Sequence, residues 1–359
     1  MTRSKKKKLT IALSCVGAVL LLALAFFLTA VVGFGGGYYE KDGTYKHITW
    51  KSSVSYSMKH PAFAEYGDFI LTWHTGIASA TVPWMSYYWM CLTTYWNTAD
   101  VVDGVNFMID MEEADRAHFF RYYSEEEIAA DPEKEATGLL YLPGDAGKPF
   151  AFVVPGGGMT SVAFTGEGFT AARELHAQGY PVFIFKYRVD DKRSRPEKED
   201  RANQDFAAAF RFIFDNAEQL GVSTENYSVW GYSAGGGLCH MWELKNEYGY
   251  AAHGFPAPAA VILVYSGYYQ ERFADGYAAD IPPTYFSYTL HDQTIGQEQV
   301  DNIGKTIQMY RDMGVTVGVF TCETAPHGYG TGAGTDAAGW MEGAYDFWEA
   351  QCRAGGVKS

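Results

Sequence analysis

Short runs of apolar residues alternate with longer amphipathic segments through the last two thirds of the chain. The runs that have the length of buried strands lie at residues 138–142, 150–154, 182–187, 227–230, 260–264, 285–290 and 315–321. Between several of them apolar residues recur at helical spacing, as in residues 202–220, 300–313 and 337–350. This alternation predicts an α/β fold, with a mostly parallel, doubly wound sheet and helices on both faces.

The segment that precedes this alternation predicts an antiparallel start to the same sheet. Residues 105–110 and 118–123 are rich in apolar and aromatic side chains, so we expect two further strands there. Ser124 and the three glutamates after it form the pattern of a capping box, which opens a short helix that ends before Pro132. We therefore place one large domain over residues 104–359.

The N-terminus has the pattern of a membrane anchor. Residues 1–8 form a basic tail, and residues 9–39 contain no charged side chain. The most apolar part, residues 11–32, would span about 33 Å as a helix, which is enough to cross a bilayer. We expect a transmembrane helix at residues 9–34 with the rest of the chain outside the cytoplasm, or alternatively a cleaved signal peptide that leads to secretion.

Between the anchor and the large domain lies an aromatic-rich segment, residues 35–103, which we call the leader. It holds five of the nine tryptophans, namely Trp50, Trp73, Trp84, Trp89 and Trp96. Its apolar residues come in clusters, so we expect short helices. The leader is either a lid or sugar-stacking platform over the active site, or a layer that packs on the large domain.

Charge narrows the range of partners. Beyond the five basic residues of the tail, the chain carries 23 basic and 42 acidic residues, a net charge of −19. Such a surface repels phosphate backbones, so nucleic acid is not an expected partner. The five cysteines form no C-x-x-C pair, and no His, Cys and Asp cluster has the spacing of metal ligands. We therefore expect neither a metal nor another cofactor.

The candidate nucleophile is Ser233, in the sequence Gly-Tyr-Ser-Ala-Gly-Gly-Gly of residues 231–237. It lies between a predicted strand, residues 227–230, and a predicted helix, residues 238–244. A serine between two glycines at such a junction is the nucleophile elbow, in which a strained turn holds the hydroxyl above the sheet edge.

A glycine-rich stretch follows another predicted strand. Residues 155–159 read Pro-Gly-Gly-Gly-Met, directly after residues 150–154. Glycines let backbone N–H groups point to one spot without interference from side chains. We expect the N–H groups of Gly157 and Gly158, with that of Ala234, to form an oxyanion hole.

Two further strand ends supply an acid and a base. Asp292 follows the predicted strand at residues 285–290, and His327 follows the strand at residues 315–321. Since the order Ser, Asp, His is that of an α/β-hydrolase, we predict that His327 accepts the proton of Ser233 and that Asp292 orients His327.

Other residues could take these places. Asp280 and Glu323 are alternates for the acid. His291 adjoins the proposed acid, and His240 lies two helical turns after the serine, where a structural role is expected.

These motifs resemble those of bacterial α/β-hydrolase esterases, over residues 104–353. The resemblance is carried by residues 155–159, by residues 231–236, by the Lys-Tyr-Arg of residues 186–188, by residues 282–292 and by the His-Gly-Tyr-Gly of residues 327–330. The chain is similar to the feruloyl and acetyl-xylan esterase-like family, which is related to the hormone-sensitive-lipase-like family. Pro155, in place of the histidine of an H-G-G-G motif, points to the first of these.

The resemblance implies that Ser233, Asp292 and His327 are catalytic, with Gly157, Gly158 and Ala234 as oxyanion donors. It implies a serine esterase that removes a short acyl group, such as acetyl, from a carbohydrate or small-molecule ester, and the predicted N-terminal helix would hold this enzyme at the membrane. Two alternatives stay open at this point: a peptidase of the prolyl-oligopeptidase type, and a non-catalytic binding protein that keeps the hydrolase fold.

Overall fold

The computed structural model describes residues 3–70, 81–244, 247–266 and 281–355, with side chains from residue 14 onward apart from residues 29 and 355. Its centre is one eight-stranded sheet. The strands are β1 His118–Phe120, β2 Gly138–Leu142, β3 Pro149–Val154, β4 Val182–Lys186, β5 Ser223–Tyr232, β6 Ala260–Val264, β7 Thr284–Thr289 and β8 Val317–Cys322.

The strand order is β1-β2-β4-β3-β5-β6-β7-β8, and the predicted sheet is confirmed. Only the β1–β2 and β2–β4 pairings are antiparallel, and every pairing from β3 to β8 is parallel. All residues of β2, β4, β6 and β7 are buried, and β6 is apolar along its whole length, as expected of a parallel strand covered on both faces. Because parallel strands end at the same edge, the segments that follow β3, β5, β7 and β8 meet there.

Helices lie between the strands, as the apolar periodicity predicts. Those that pack on the sheet or on each other are Thr170–Ala177, Arg195–Asp215, Ala234–Trp242, Gln297–Asp312 and Trp340–Gly355, with Ala217–Leu220 and Glu125–Ala130 as shorter helices. The last long helix buries Trp340 and Trp348 completely, on the face that the spacing of its apolar residues indicates.

One predicted strand is wrong. Residues 105–110 belong to a 16-residue helix, Thr98–Glu113, in which Val101, Val105, Met108 and Ile109 are fully or almost fully buried. Their spacing is helical, and the side chain of Asn97 caps the first turn by accepting a hydrogen bond from the Asp100 N–H. The expected boundary between residues 103 and 104 therefore lies inside a helix that joins the leader to the large domain.

The leader consists of short helices packed on the large domain. They are Val54–Met58, Pro61–Phe63, Gly67–Phe69, Val82–Trp84 and Tyr87–Thr94. The Phe63 ring lies 6.1 Å from that of Phe169, and the Phe69 ring 5.9 Å from that of Phe164, measured between centroids. Its aromatic side chains thus form part of the core, although Trp50 and Trp84 are exposed. Trp73 lies outside the described residues.

The chain begins with a helix, Arg3–Phe26, that continues into a π-helical turn, Phe27–Val31. In the part of the chain that could be searched, no helix is both long and apolar enough to cross a membrane. The five cysteines are all free, and Cys91, Cys239 and Cys322 are buried.

Candidate active site

Ser233 lies in the sharp turn between β5 and the helix Ala234–Trp242. Its backbone has φ 49° and ψ −118°, a conformation that residues with a side chain rarely adopt. A Cβ atom at Gly231 would lie 2.6 Å from the Cys239 sulfur, and one at Gly235 would lie 2.1 Å from the Val154 carbonyl oxygen. The glycines two residues before and after the serine are therefore required by the close approach of the chain, as the elbow pattern predicts.

A continuous chain of hydrogen bonds joins the three predicted catalytic residues. The Ser233 hydroxyl oxygen lies 2.8 Å from Nε2 of His327, and Nδ1 of His327 lies 2.6 Å from Oδ2 of Asp292. The second oxygen of Asp292 accepts hydrogen bonds from the backbone N–H groups of Thr294 and Ile295, at 2.9 and 3.1 Å. Both oxygens of Asp292 thus accept hydrogen bonds, which fixes its orientation toward the imidazole.

Two opposing effects act on the Asp292 carboxyl. Burial raises its pKa, whereas the hydrogen bond to His327, the positive charge of that ring and the two backbone N–H donors lower it, and the net result is a lowered pKa. The carboxylate is therefore held in its ionised form. An ionised partner at Nδ1 favours the tautomer of His327 in which Nε2 can accept the serine proton.

The glycine-rich loop of residues 155–163, here called the oxyanion loop, lies directly beside Ser233. A Cβ atom at Gly156 would be 2.7 Å from the Cβ of Ser233. Gly157 and Gly158 have φ values of 123° and 64°, and a Cβ at Gly157 would meet the Ser161 carbonyl oxygen at 2.2 Å. The loop can follow this path only with glycine at residue 157.

The N–H groups of this site are available to a ligand. Among the described residues, no acceptor is within hydrogen-bond distance of the N–H groups of Gly157 and Gly158. Ala234 is the first residue of its helix, where N–H groups have no acceptor within the helix. The oxyanion loop, through Gly156, and the first residue of the helix, Ala234, therefore both lie beside the serine.

The alternates do not join this cluster. His240 is buried and its Nδ1 lies 2.9 Å from a carboxylate oxygen of Glu243. His291 is exposed and its Nε2 lies 3.6 Å from a carboxylate oxygen of Glu323, which is exposed as well. Asp280 lies outside the described residues.

Comparison with known proteins points to the same family of esterases that the sequence motifs resemble. Residues 140–253 match the family model described as BD-FAE. The chain is 29% identical over 126 residues to endo-1,4-beta-xylanase B of Butyrivibrio fibrisolvens, which is 34% of this chain and 20% of that protein. It is 28% identical over 115 residues to the acetylxylan esterase of Xylanibacter ruminicola, which is 32% of this chain and 23% of that protein. The chain therefore matches only about a fifth of the length of these curated relatives.

Solved structures share the fold over a larger part of the chain. An acetyl ester-xyloside bifunctional hydrolase from Caldicellulosiruptor lactoaceticus superposes with a TM-score of 0.52 at 19% identity, over 66% of this chain and 96% of that chain. A sugar hydrolase from Lactococcus lactis gives 0.50 at 20% identity, over 61% and 95%. The chain is an α/β-hydrolase similar to feruloyl and acetyl-xylan esterases. The resemblance inferred from the sequence is thereby confirmed.

One buried acid of this hydrolase was not singled out from the sequence. Glu167 is 3% exposed, and its two oxygens accept hydrogen bonds from the Gly156 N–H at 2.6 Å and from the Tyr265 hydroxyl at 3.0 Å. The ring of Tyr265 lies 5.0 Å from that of His327. A signal does exist in the sequence, because Glu167 is the only charged residue between Lys148 and Arg173 and follows the glycine-rich stretch closely.

The end of the leader also contacts the site, through the loop of residues 323–339, here called the histidine loop. A Cβ atom at Gly328 would lie 3.3 Å from the indole nitrogen of Trp96. The side-chain amide of Asn97 donates to the Ala333 carbonyl at 3.0 Å, and the Thr331 hydroxyl donates to Asp100 at 2.7 Å. The leader therefore helps to hold the loop that carries His327.

In the residues that the structure describes, there is no group of three or more His, Cys, Asp and Glu side chains that could hold a metal ion.

Proposed function

We propose that this α/β-hydrolase is a serine esterase that works through an acyl-enzyme. The observation that carries the proposal is the hydrogen-bonded chain from Asp292 through His327 to Ser233, set beside the unpaired N–H groups of Gly157 and Gly158. The contact between Ser233 and His327 is short enough for proton transfer, and the contact between His327 and Asp292 is short enough to orient the imidazole, in both cases without rearrangement.

The proposed reaction has two halves. Ser233 attacks the ester carbonyl while His327 takes its proton, and the carbonyl oxygen gains negative charge that the N–H groups of Gly157, Gly158 and Ala234 stabilise. His327 then returns the proton to the departing alcohol, and an acyl-serine remains. Water, deprotonated by the same histidine, attacks the acyl-serine and restores the free hydroxyl.

A short acyl group on a carbohydrate is the proposed substrate. The similarity to an acetylxylan esterase and to a xylanase over about a third of the chain supports this class. The strongly acidic surface disfavours substrates that carry phosphate. Acetyl specificity is the finer part of the proposal, and it is tested by the dependence of turnover on acyl length.

The test compares p-nitrophenyl acetate, butyrate and octanoate, followed by acetylated xylan. Turnover that falls with chain length, and that Ser233→Ala abolishes while the protein stays folded, is the expected result. His327→Ala should be as inactive as Ser233→Ala. The matched control is His291→Ala, whose exposed ring pairs only with exposed Glu323 among the described residues and should leave turnover near wild type. Ester hydrolysis by Ser233→Ala within a few fold of wild type would refute the proposal.

We further propose that the N-terminal helix anchors the enzyme in a membrane, with the catalytic domain on the extracytoplasmic side. Support comes from the basic residues of the tail and from the uncharged run of residues 9–39. Large apolar side chains of the helix and its π-helical turn are also exposed, among them Val16, Leu20, Leu22, Phe26 and Leu28. Sedimentation of the full chain with membranes after a carbonate wash, and its release when residues 1–32 are deleted, is the expected result. A soluble full chain would contradict the anchor, and a cleaved N-terminus would indicate secretion instead.

A further inference from the structure

Glu167 is a buried carboxylate that contacts the oxyanion loop directly and His327 through Tyr265. We propose that Glu167, acting through Tyr265, is a positioning residue that holds the oxyanion loop and His327 in a fixed relation to each other. The inference rests on the proposed esterase function and deepens it, because it assigns a role to two residues outside the Ser-His-Asp set.

The first contact fixes the oxyanion loop. Oε2 of Glu167 accepts the Gly156 N–H at 2.6 Å, one residue before the first proposed oxyanion donor. The backbone closes the same loop, because Ala163 N–H donates to the Gly156 carbonyl at 2.9 Å and Glu167 N–H donates to the Ala163 carbonyl at 3.0 Å. Glycines give this loop little stiffness of its own, so a charged acceptor at its start sets where the following N–H groups point.

The second contact reaches the base. The Tyr265 hydroxyl donates to Oε1 of Glu167 at 3.0 Å and accepts the Gly330 N–H of the histidine loop at 3.3 Å. Its ring packs edge to face against His327, with centroids 5.0 Å apart and an interplanar angle of 60°. Glu167 thus acts on His327 through a side chain that is itself fully buried.

The backbone of Tyr265 carries strain that fits this role. Its φ is 35°, in the left-handed region that residues with a side chain rarely adopt. The Tyr265 N–H donates to the Ser287 carbonyl on β7 at 2.7 Å, so the residue is held at the end of β6 by the neighbouring strand. Strain of this kind persists where the surroundings fix the residue, and it clusters at functional sites.

Glu167 interacts electrostatically with His327 and with several buried tyrosine side chains. Burial raises the pKa of Glu167, and the Gly156 N–H, the interaction with His327 and the Tyr265 hydroxyl lower it by less, so the net result is a raised pKa. Both oxygens act as acceptors, which suits the ionised carboxylate. Asp292 is the carboxylate that contacts His327 directly, and the charge of Glu167 raises the pKa of the buried phenols Tyr187, Tyr232 and Tyr265. An ionised Glu167 would favour the protonated imidazole that forms during attack.

The experiment compares Glu167→Gln, Glu167→Asp and Tyr265→Phe with wild type, measuring kcat and KM for p-nitrophenyl acetate, the pH profile and Tm. Glutamine keeps the shape of Glu167 but not its charge. For Glu167→Gln we expect kcat to fall roughly 10- to 100-fold with KM within about threefold. Displacement of the oxyanion N–H donors and of His327 weakens the stabilisation of the transition state more than the binding of the substrate. We also expect the acid limb of the profile to move to lower pH. Glu167→Asp, which keeps the charge, should retain the acid limb of wild type.

Two outcomes separate this inference from the proposed function. A wild type no more active than Ser233→Ala would refute the esterase and this inference with it. An active wild type, with Glu167→Gln equal to it in kcat and acid limb, would refute this inference alone. If Glu167→Gln does not fold, Tyr265→Phe decides, since it removes one hydroxyl and keeps the ring; we expect a kcat loss of about fivefold or more. Wild-type kcat in Tyr265→Phe would then overturn the proposal.

Discussion

Replacing Asp100 by asparagine tests whether the leader is part of the active-site scaffold. Asp100 is 8% exposed and belongs to the helix that joins the leader to the large domain. Its Oδ1 lies 2.7 Å from an Arg173 guanidinium nitrogen, and its Oδ2 accepts the hydroxyl of Thr331 in the histidine loop at 2.7 Å. Asparagine has the same shape, so the change removes the charge and one acceptor with little loss of packing.

The expected loss of stability in Asp100→Asn follows from how deeply Asp100 and Arg173 are buried. Arg173 is 24% exposed and also pairs with Glu174 at 2.7 Å, so the substitution does not leave it isolated. A buried pair that loses one partner costs about 3–5 kcal/mol and an exposed pair about 0–1 kcal/mol. The intermediate exposure here places the expected loss at about 2–3 kcal/mol, or roughly 4–6 °C in Tm for a domain of this size.

The assay is thermal unfolding together with ester hydrolysis by the folded variant. The matched control is Glu174→Gln, which contacts the same arginine from a side chain that is 37% exposed and should cost about 1 kcal/mol or less. We expect Asp100→Asn to lower kcat as well, because Thr331 loses its acceptor on the leader. If Asp100→Asn unfolds at the same temperature as Glu174→Gln and retains full activity, the leader does not hold the histidine loop.

Three further predictions concern single positions. Gly157→Ala should lower kcat roughly 100-fold or more, since its Cβ would lie 2.2 Å from the Ser161 carbonyl oxygen; steady-state kinetics with circular dichroism as a folding control measures this. Asp292→Asn should lower kcat by roughly 10³–10⁴-fold. Because the folded pKa of Asp292 is lowered, its stabilisation is present above about pH 4 and lost as the pH falls through the folded pKa, so the Tm values of wild type and Asp292→Asn should converge in acid. Glu243→Ala should destabilise the protein by about 3–5 kcal/mol in denaturant unfolding, as it removes a buried acceptor shared by His240 and Tyr310.

The sheet and the three catalytic candidates follow from local features of the sequence. Parallel strands buried on both faces must be apolar along their length, so runs such as residues 150–154 and 260–264 can be recognised without long-range information. Ser233 is marked by glycines that the turn requires, and Asp292 and His327 are marked by their places after β7 and β8. Once the strand order is parallel, the shared sheet edge brings these positions together.

The rest depends on contacts between distant segments. Residues 105–110 are apolar in a way that suits a strand or a helix, and only the burial of Val101 and Met108 on one helical face decides between them. The role of Glu167 depends on the fold bringing its carboxylate to Gly156 and Tyr265, which are separated from it by 11 and 98 residues. No local sequence pattern indicates that Glu167 will contact Gly156 or Tyr265.

The contacts between leader and histidine loop also have a consequence for the order of folding. Thr331 and Asp100 are 231 residues apart, and Asn97 and Ala333 are 236 residues apart. During synthesis the leader is therefore made more than 200 residues before the loop that it contacts. Contacts of such long range form slowly, because the chain must pay loop-closure entropy before they contribute. The sheet can therefore assemble before the base is in place, and the proposed hydrolytic activity should appear only after the histidine loop has docked on the leader.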